Sequence, residues 1–344
     1  MSPMQKEQYE SLKAVLSSPK NIVIVPHKSP DGDAVGSITA LYGYLTKTGH
    51  SATMISPNDF PTFLKWMEHS DQILNYEMTR DQSDDLIADA DLIFILDHNA
   101  FHRAGDLETP LSKAKATFIM IDHHQQPDDF ANYMYSDTGM SSTCEMVYHF
   151  LENLDAVNTI DAAMASSLYT GILTDTGSFK YRSTTSTTLR VAANLVDLGA
   201  DSEHINRRIY DVNTPTRMKL LGVALNNMVI LENYRTAFIT LTQKELDDNN
   251  FQKGDTEGFV NYALSLDGIV FAQIFIEKAD ESIIKTSLRS KGDFDVNQLA
   301  REHWNGGGHK NAAGGRSEAS MQETVDKLIS ILPHYEADLQ RTKI

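Results

Sequence analysis

The sequence has 344 residues and a single cysteine, Cys144, so no disulfide framework can form. That usage fits a reducing, intracellular compartment. No apolar run reaches the length of a membrane span. The first eight residues also lack the basic region and apolar core of a secretory signal. The expectation is therefore a soluble cytoplasmic protein with no membrane partner. Cations are in deficit, 30 Lys and Arg against 47 Asp and Glu, for a net charge of −17. This argues against nonspecific binding along a long duplex, which needs many cationic contacts to phosphates. A small phosphorylated ligand is not excluded, because bound cations or a few arginines reverse the field inside one cleft. Gly/Ser-rich and Pro-rich tracts are absent, as are internal repeats, so no linker marks a domain boundary. The apolar fraction of 41% is enough for the cores of two ordinary domains.

What is present is a recurring pattern. Phe118-Ile119-Met120-Ile121 is a short apolar run that stops at Asp122-His123-His124. Leu92 to Leu96 is a second run, ending in Asp97-His98. Asn21 to Val25 is a third, ending in Pro26-His27. Short, uncharged, β-rich runs of this kind read as strands buried on both faces. Any one of them could be a polar strand-to-loop junction. Three strands delivering an acid or a histidine at the same end point to one site, because parallel strands bring those ends to one sheet edge.

The loop after the first strand, His27-Lys28-Ser29-Pro30-Asp31-Gly32-Asp33, adds two carboxylates around a glycine. The plainer reading of that loop is a turn with Asp33 capping the next helix. Asp with His supplies hard oxygen and borderline nitrogen, a set suited to Mn²⁺, Zn²⁺ or Fe²⁺. Several carboxylates in one cleft repel one another unless divalent cations compensate them. Two such centres need a carboxylate able to bridge. Asp175, at the end of an apolar helix before Thr176-Gly177, is a weaker candidate. Arg103 follows the second run and could hold a phosphate or a surface acid.

Strand and helix patterns alternate through the first third of the chain, which implies a parallel, helix-covered sheet. From residue 142 the period becomes helical, with helices expected at 143–154, 162–173, 188–198, 202–210 and 215–228. Ser142 or Thr143 would cap the first of these, with Glu145 in its first turn. A short helix is expected at 61–68, and strands return at 237–241, 270–277 and 283–290. Arg289 ends the last of these strands, and Gly306-Gly307-Gly308-His309 follows as a flexible loop. Its glycines would let backbone N–H groups approach a phosphate, although a plain tight turn explains them equally well.

Taken together, His27-x-x-x-Asp31-x-Asp33, Asp97, Asp122-His123-His124 and Asp175 resemble the four motifs of the DHH phosphoesterases. Arg289 and Gly306 to His309 resemble the DHHA1 domain that often follows. The resemblance spans nearly the whole chain in the right order. It implies an α/β fold: a parallel-sheet DHH catalytic domain, a smaller α/β DHHA1 substrate-binding domain and a cleft between them. The expected layout is a DHH domain over 1–195, a helical linker over 196–230 and a DHHA1 domain over 231–344.

The resemblance also assigns roles. His27, Asp31 and Asp97 would hold one metal, while Asp33, Asp97, His123 and Asp175 hold the other, with Asp97 bridging. His124 would contact the phosphate, and Asp122 would orient a histidine. Arg289 and Gly306, Gly307, Gly308 and His309 would grip the substrate, with Arg103 as a further phosphate contact. Two divalent ions are implied, Mn²⁺ before Mg²⁺. Length selects the stand-alone nanoRNase (oligoribonuclease) and pAp-phosphatase group over the RecJ exonucleases and the membrane-bound cyclic-dinucleotide phosphodiesterases. The implied substrates are short single-stranded RNA and small phosphorylated nucleotides, not long duplex. A homodimer is compatible with the sequence. The competing readings are a cyclic-dinucleotide phosphodiesterase and a catalytically silent nucleotide-binding module.

Overall fold

A computed structural model describes residues 4–343. The chain forms two compact units, divided between Val212 and Asn213.

The first unit opens with α1 (Lys6–Val15), β1 (Asn21–Val25), α2 (Gly32–Lys47), β2 (Ser51–Ser56) and β3 (Leu74–Asn75). It continues with α3 (Arg80–Ala88), β4 (Leu92–Leu96), α4 (Glu108–Lys113), β5 (Thr117–Asp122) and β6 (Tyr133–Ser136). Four helices complete it: α5 (Thr143–Asn153), α6 (Ala162–Asp175), α7 (Ser186–Asp197) and α8 (Ser202–Tyr210). The six strands form one parallel sheet in the order β3-β2-β1-β4-β5-β6. β4 is buried along its whole length, which is why it reads as an unbroken apolar run. Alternate residues of the strands feed two cores, Ile22, Ile24 and Phe94 on one face and Val23, Ile93 and Ile95 on the other.

The second unit contains α9 (Pro215–Asn226), β7 (Val229–Leu231), β8 (Thr236–Leu241), α10 (Gln243–Asp248) and α11 (Phe259–Leu264). It ends with β9 (Phe271–Lys278), β10 (Ile283–Ser290), α12 (Val296–His303), β11 (Gly307–His309), β12 (Ala312–Ser317) and α13 (Met321–Arg341). Its sheet runs β11-β12-β10-β9-β8-β7 and is antiparallel except for the β8–β9 pair. Among the described residues, no helix is long and apolar enough to cross a membrane.

Three local expectations change. Residues 61–68 contain only a single 3-10 turn, Thr62–Leu64, with Pro61 just before it. The glycine segment is a hairpin strand pair, not an open loop, because β11 pairs with β12 over Gly307 to His309. A Cβ on Gly306 would overlap the Gly314 carbonyl, so the close approach of these segments requires glycine there. Finally, α2 starts at Gly32 with Asp31 as its N-cap, so the plainer reading of that loop, with Asp33 as the cap, does not hold. The Asp31 carboxylate accepts from the N–H groups of Asp33 and Ala34 at 3.0 and 3.2 Å. That places Asp33 inside the first turn and leaves its side chain for another role.

Candidate metal centre

The carboxyl edge of the first sheet assembles the site. β1, β4 and β5 lie side by side and parallel, so the residues just beyond Val25, Leu96 and Ile121 meet at one edge. His27 Nε2 lies 3.3 Å from Asp97 Oδ2 and 4.0 Å from Asp31 Oδ1. His123 Nε2 faces three acids: Asp33 Oδ2 at 3.7 Å, Asp97 Oδ1 at 3.6 Å and Asp175 Oδ2 at 3.4 Å. Asp175, the uncertain candidate, is the last residue of α6 and reaches this cluster from the helical layer. Ligand atoms of His27, Asp31 and Asp97 lie within 4.8 Å of one another, as do those of Asp33, His123 and Asp175. The same holds for Asp97, Asp122 and His124.

Asp97 is central to this arrangement. Its carboxylate is 2% exposed and lies 3.3 Å from His27, 3.6 Å from His123 and 3.8 Å from His124. Its backbone adopts φ = 63°, a left-handed conformation uncommon for a residue with a Cβ. Its N–H still donates to Ile121 O at 3.1 Å, so the strand pairing continues through the bend. Conformations of this kind collect at functional sites, where the surroundings over-determine them.

Asp122 and His124 form a second arrangement. The Asp122 carboxylate accepts from His124 N–H at 2.9 Å and lies 2.7 Å from His124 Nδ1. The contact with Asp122 fixes the orientation of the His124 ring. Asn99 braces the segment behind it, donating to the carbonyls of His124 and Gln125 at 3.1 Å.

The electrostatics are those of an anionic pocket short of cations. Burial, with the charges of Asp97 and Asp175 beside it, pushes the Asp33 carboxyl well above the usual range. Burial likewise raises Asp175 to about 7. Burial should lower His123 and His27, but the surrounding carboxylates outweigh it and hold both at about 9. Asp97 is the opposite case: burial is outweighed by the hydrogen bond from His27, and its carboxyl is held far below the usual range. Burial lowers His124 and brings His98 down to about 3. Arg103, in the 3-10 segment Phe101–Leu107, adds positive charge that is felt at Asp122 and His124.

In the second unit, Arg289 stands on β10 opposite Ala312 of β12, and its guanidinium donates to Leu288 O at 2.9 Å. Two residues that the sequence did not single out shape the glycine hairpin. Asn297, 5% exposed on α12, accepts from the N–H of Gly308 at 3.0 Å and from Arg301 Nε at 3.1 Å. A Cβ on Gly307 would come 3.7 Å from Arg301 Nε, so that guanidinium lies alongside the glycine strand. The 297/301 pair follows the spacing of neighbours on one helix face, a signal too common to stand out in sequence.

The chain belongs to the DHH family. The model of the DHH family N-terminal domain matches residues 21–172, and that of the DHHA1 domain matches residues 233–335. A solved structure of an exopolyphosphatase-related protein from Bacteroides fragilis is 37% identical, with a TM-score of 0.95 over 99% of this chain and 100% of that one. The bifunctional oligoribonuclease and PAP phosphatase NrnA of Thermus thermophilus is 30% identical over 305 residues, 89% of this chain and 86% of its own length. The protein of the same name from Bacillus subtilis is 27% identical over 294 residues, 85% and 88% of the two chains.

Proposed function

We propose that this protein is a metal-dependent phosphoesterase that hydrolyses very short oligoribonucleotides to mononucleotides and removes the 3′-phosphate of pAp. The observation that carries the reading is the shared carboxylate of Asp97, which lies between a His27–Asp31 side and an Asp33–His123–Asp175 side. The likeness to two NrnA enzymes over most of both chains supports the substrate class.

The donor set fits two divalent cations. Asp33 and Asp97 are almost wholly buried, and the acids around them have no lysine or arginine within ion-pair distance among the described residues. Such a group of like charges calls for compensation by cations of higher charge. We assign His27, Asp31 and Asp97 to one ion and Asp33, Asp97, His123 and Asp175 to the other. Mixed oxygen and nitrogen ligands favour Mn²⁺, with Mg²⁺ the next candidate. When bound, two such ions supply Lewis-acid neutralisation of phosphoryl charge and a nucleophile from water near neutral pH.

The chain's own residues do the rest. His124, held through Nδ1 by Asp122, presents Nε2 to a phosphoryl oxygen. Arg103 adds charge on the same side. In the second unit, Arg289 and the hairpin of Gly306, Gly307, Gly308 and His309 would hold a substrate phosphate, with backbone N–H groups of the glycines as donors. The acidic chain offers little to a long polymer, which supports short substrates over duplex or long single strands. Its single cysteine is buried and unpaired, which supports a cytoplasmic location.

The test is product analysis with Mn²⁺ and with Mg²⁺ on pAp, linear dinucleotides, RNAs of increasing length and cyclic dinucleotides, at one fixed ionic strength. Dinucleotides and pAp should give the highest kcat/KM, with mononucleotides and adenosine monophosphate as products. Efficient cutting of long single strands, or exclusive cutting of cyclic dinucleotides, would replace the reading.

A further inference from the structure

The two central carboxylates come from different elements, Asp33 from the first turn of α2 and Asp97 from the end of β4. Both are held by a third, the first turn of α5. The N–H of Thr143 donates to Asp33 Oδ2 at 2.6 Å, and the N–H of Cys144 donates to Asp33 Oδ1 at 2.8 Å. Each Asp33 oxygen thus has its own backbone donor, which fixes the plane of the carboxylate. These are orphan N–H groups of a helix start, where negative charge is favoured. The Thr143 hydroxyl lies 2.9 Å from Asp97 Oδ1, and an ionised carboxylate only accepts, so the hydroxyl donates. Every group involved is buried, with Thr143 at 0%, Asp33 at 1% and Asp97 at 2% exposure.

We infer that Thr143 is a positioning residue for the metal centre: its hydroxyl sets the Asp97 carboxylate and its N–H sets that of Asp33. Each carboxylate oxygen has two lone-pair directions, so one donor per oxygen leaves another direction for a cation. The hydroxyl is not needed to start the helix. Ser142 is the N-cap, accepting from the N–H of Glu145 at 3.0 Å. The buried Glu145 carboxylate accepts from Ser141 N–H at 3.0 Å, from Ser141 Oγ at 2.5 Å and from Thr188 Oγ1 of α7 at 3.0 Å. The turn is therefore anchored on its own, and loss of the Thr143 hydroxyl should be felt at Asp97 rather than in the helix.

This inference rests on the reading that Asp33 and Asp97 hold cations. The test uses the full-length protein and its Thr143→Val, Thr143→Ser and Asp97→Asn variants. Mn²⁺ affinity is measured by titration with detection of free Mn²⁺ by electron paramagnetic resonance, alongside thermal melts and kcat and KM on a dinucleotide. Removing a group that orients metal ligands typically costs about 10–100-fold in metal affinity or activity. Thr143→Val should lose Mn²⁺ affinity on that scale, with kcat falling and KM at saturating Mn²⁺ nearly unchanged. Thr143→Ser should restore the affinity. If Thr143→Val does not fold, Thr143→Ala against Thr143→Ser makes the same comparison. A folded hydroxyl-free variant that binds Mn²⁺ like the parent overturns the inference, even if its melting temperature falls. Asp97→Asn separates the two failures: if it too binds Mn²⁺ like the parent, the metal-site reading itself is wrong.

Discussion

Stripping divalent cations and raising the pH should destabilise this protein, and the site dictates the sign. In the metal-free chain His27 and His123 are held protonated by the acids around them, each with its pKa raised from 6.5 to about 9. A group whose folded pKa lies above its unfolded value stabilises fully below the unfolded pKa. That contribution is lost as the pH rises through the folded one. Between pH 7 and 9 both histidines are mostly neutral when unfolded and mostly protonated when folded. Each then contributes a slope of at most ~1.4 kcal/mol per pH unit. The two share the same carboxylates, so a combined loss of about 1–2 kcal/mol per pH unit is the reasonable scale. Asp175, raised to about 7, acts in the same direction at the low end of this window. His98 and His124 act the other way, but their pKa values are lowered by burial, so their contribution is complete below pH 7.

Bound cations should reverse the trend, because the ligands must shed protons to bind them. At free Mn²⁺ of 100 times Kd the stabilisation from one site is about 2.7 kcal/mol. The assay is urea unfolding at pH 7, 7.5, 8 and 8.5, with chelator in one series and excess Mn²⁺ in the other. A metal-free midpoint that stays flat or rises across that range would refute the reasoning.

Three further outcomes are expected. Asp97→Asn keeps the shape and removes the shared charge; bound metal and turnover should both collapse in a folded protein, measured by metal analysis and steady-state kinetics. Arg289→Ala should raise KM for a dinucleotide by the equivalent of roughly 1.5–3 kcal/mol, the worth of a charge-assisted contact, while bound metal stays unchanged; loss of metal instead would remove the substrate-binding assignment. Gly171→Ala places a methyl against Cys144 Sγ and 2.7 Å from Asp33 Oδ1; overpacking of this kind costs typically 1–3 kcal/mol, read by urea unfolding, and Mn²⁺ affinity should fall with it.

The strands that carry the site were legible because parallel strands are buried on both faces and leave uninterrupted apolar runs. The acids and histidines at their ends stood out against that background. Asp175 did not, because a helix-terminal acid is common for reasons of solvation and dipole alone. β3 and β6 are edge strands of two and four residues, too short for a period to show. The β11–β12 hairpin was hidden by composition: glycine and alanine have little strand preference, and it is the close backbone approaches at Gly306, Gly308 and Gly315 that call for glycine. Thr143 was visible only as a helix start, since a capping hydroxyl and a ligand-positioning hydroxyl look the same in sequence.

The helical layer explains why the acids of the cluster can be so close. A Cβ on Gly36 of α2 would lie 2.5 Å from the carbonyl of Ser167 on α6, so these two helices touch backbone to backbone. Gly171 repeats the condition one turn further along α6, facing Cys144 and Asp33. Cys144 is the small side chain that fills the remaining space, with its Sγ 3.4 Å from Asp33 O. α2 therefore presents Asp33 directly to the N–H groups at the start of α5, while α6 brings Asp175 to the same point. The sheet edge supplies Asp97, His123 and His27 from below. A Cβ at 36 would press on Ser167 O, and one at 171 on Cys144 Sγ and Asp33 Oδ1, so a larger residue at either position requires these elements to shift. The meeting of Asp33 and Asp175 thus depends on two glycines and a cysteine that stand outside the acidic cluster itself.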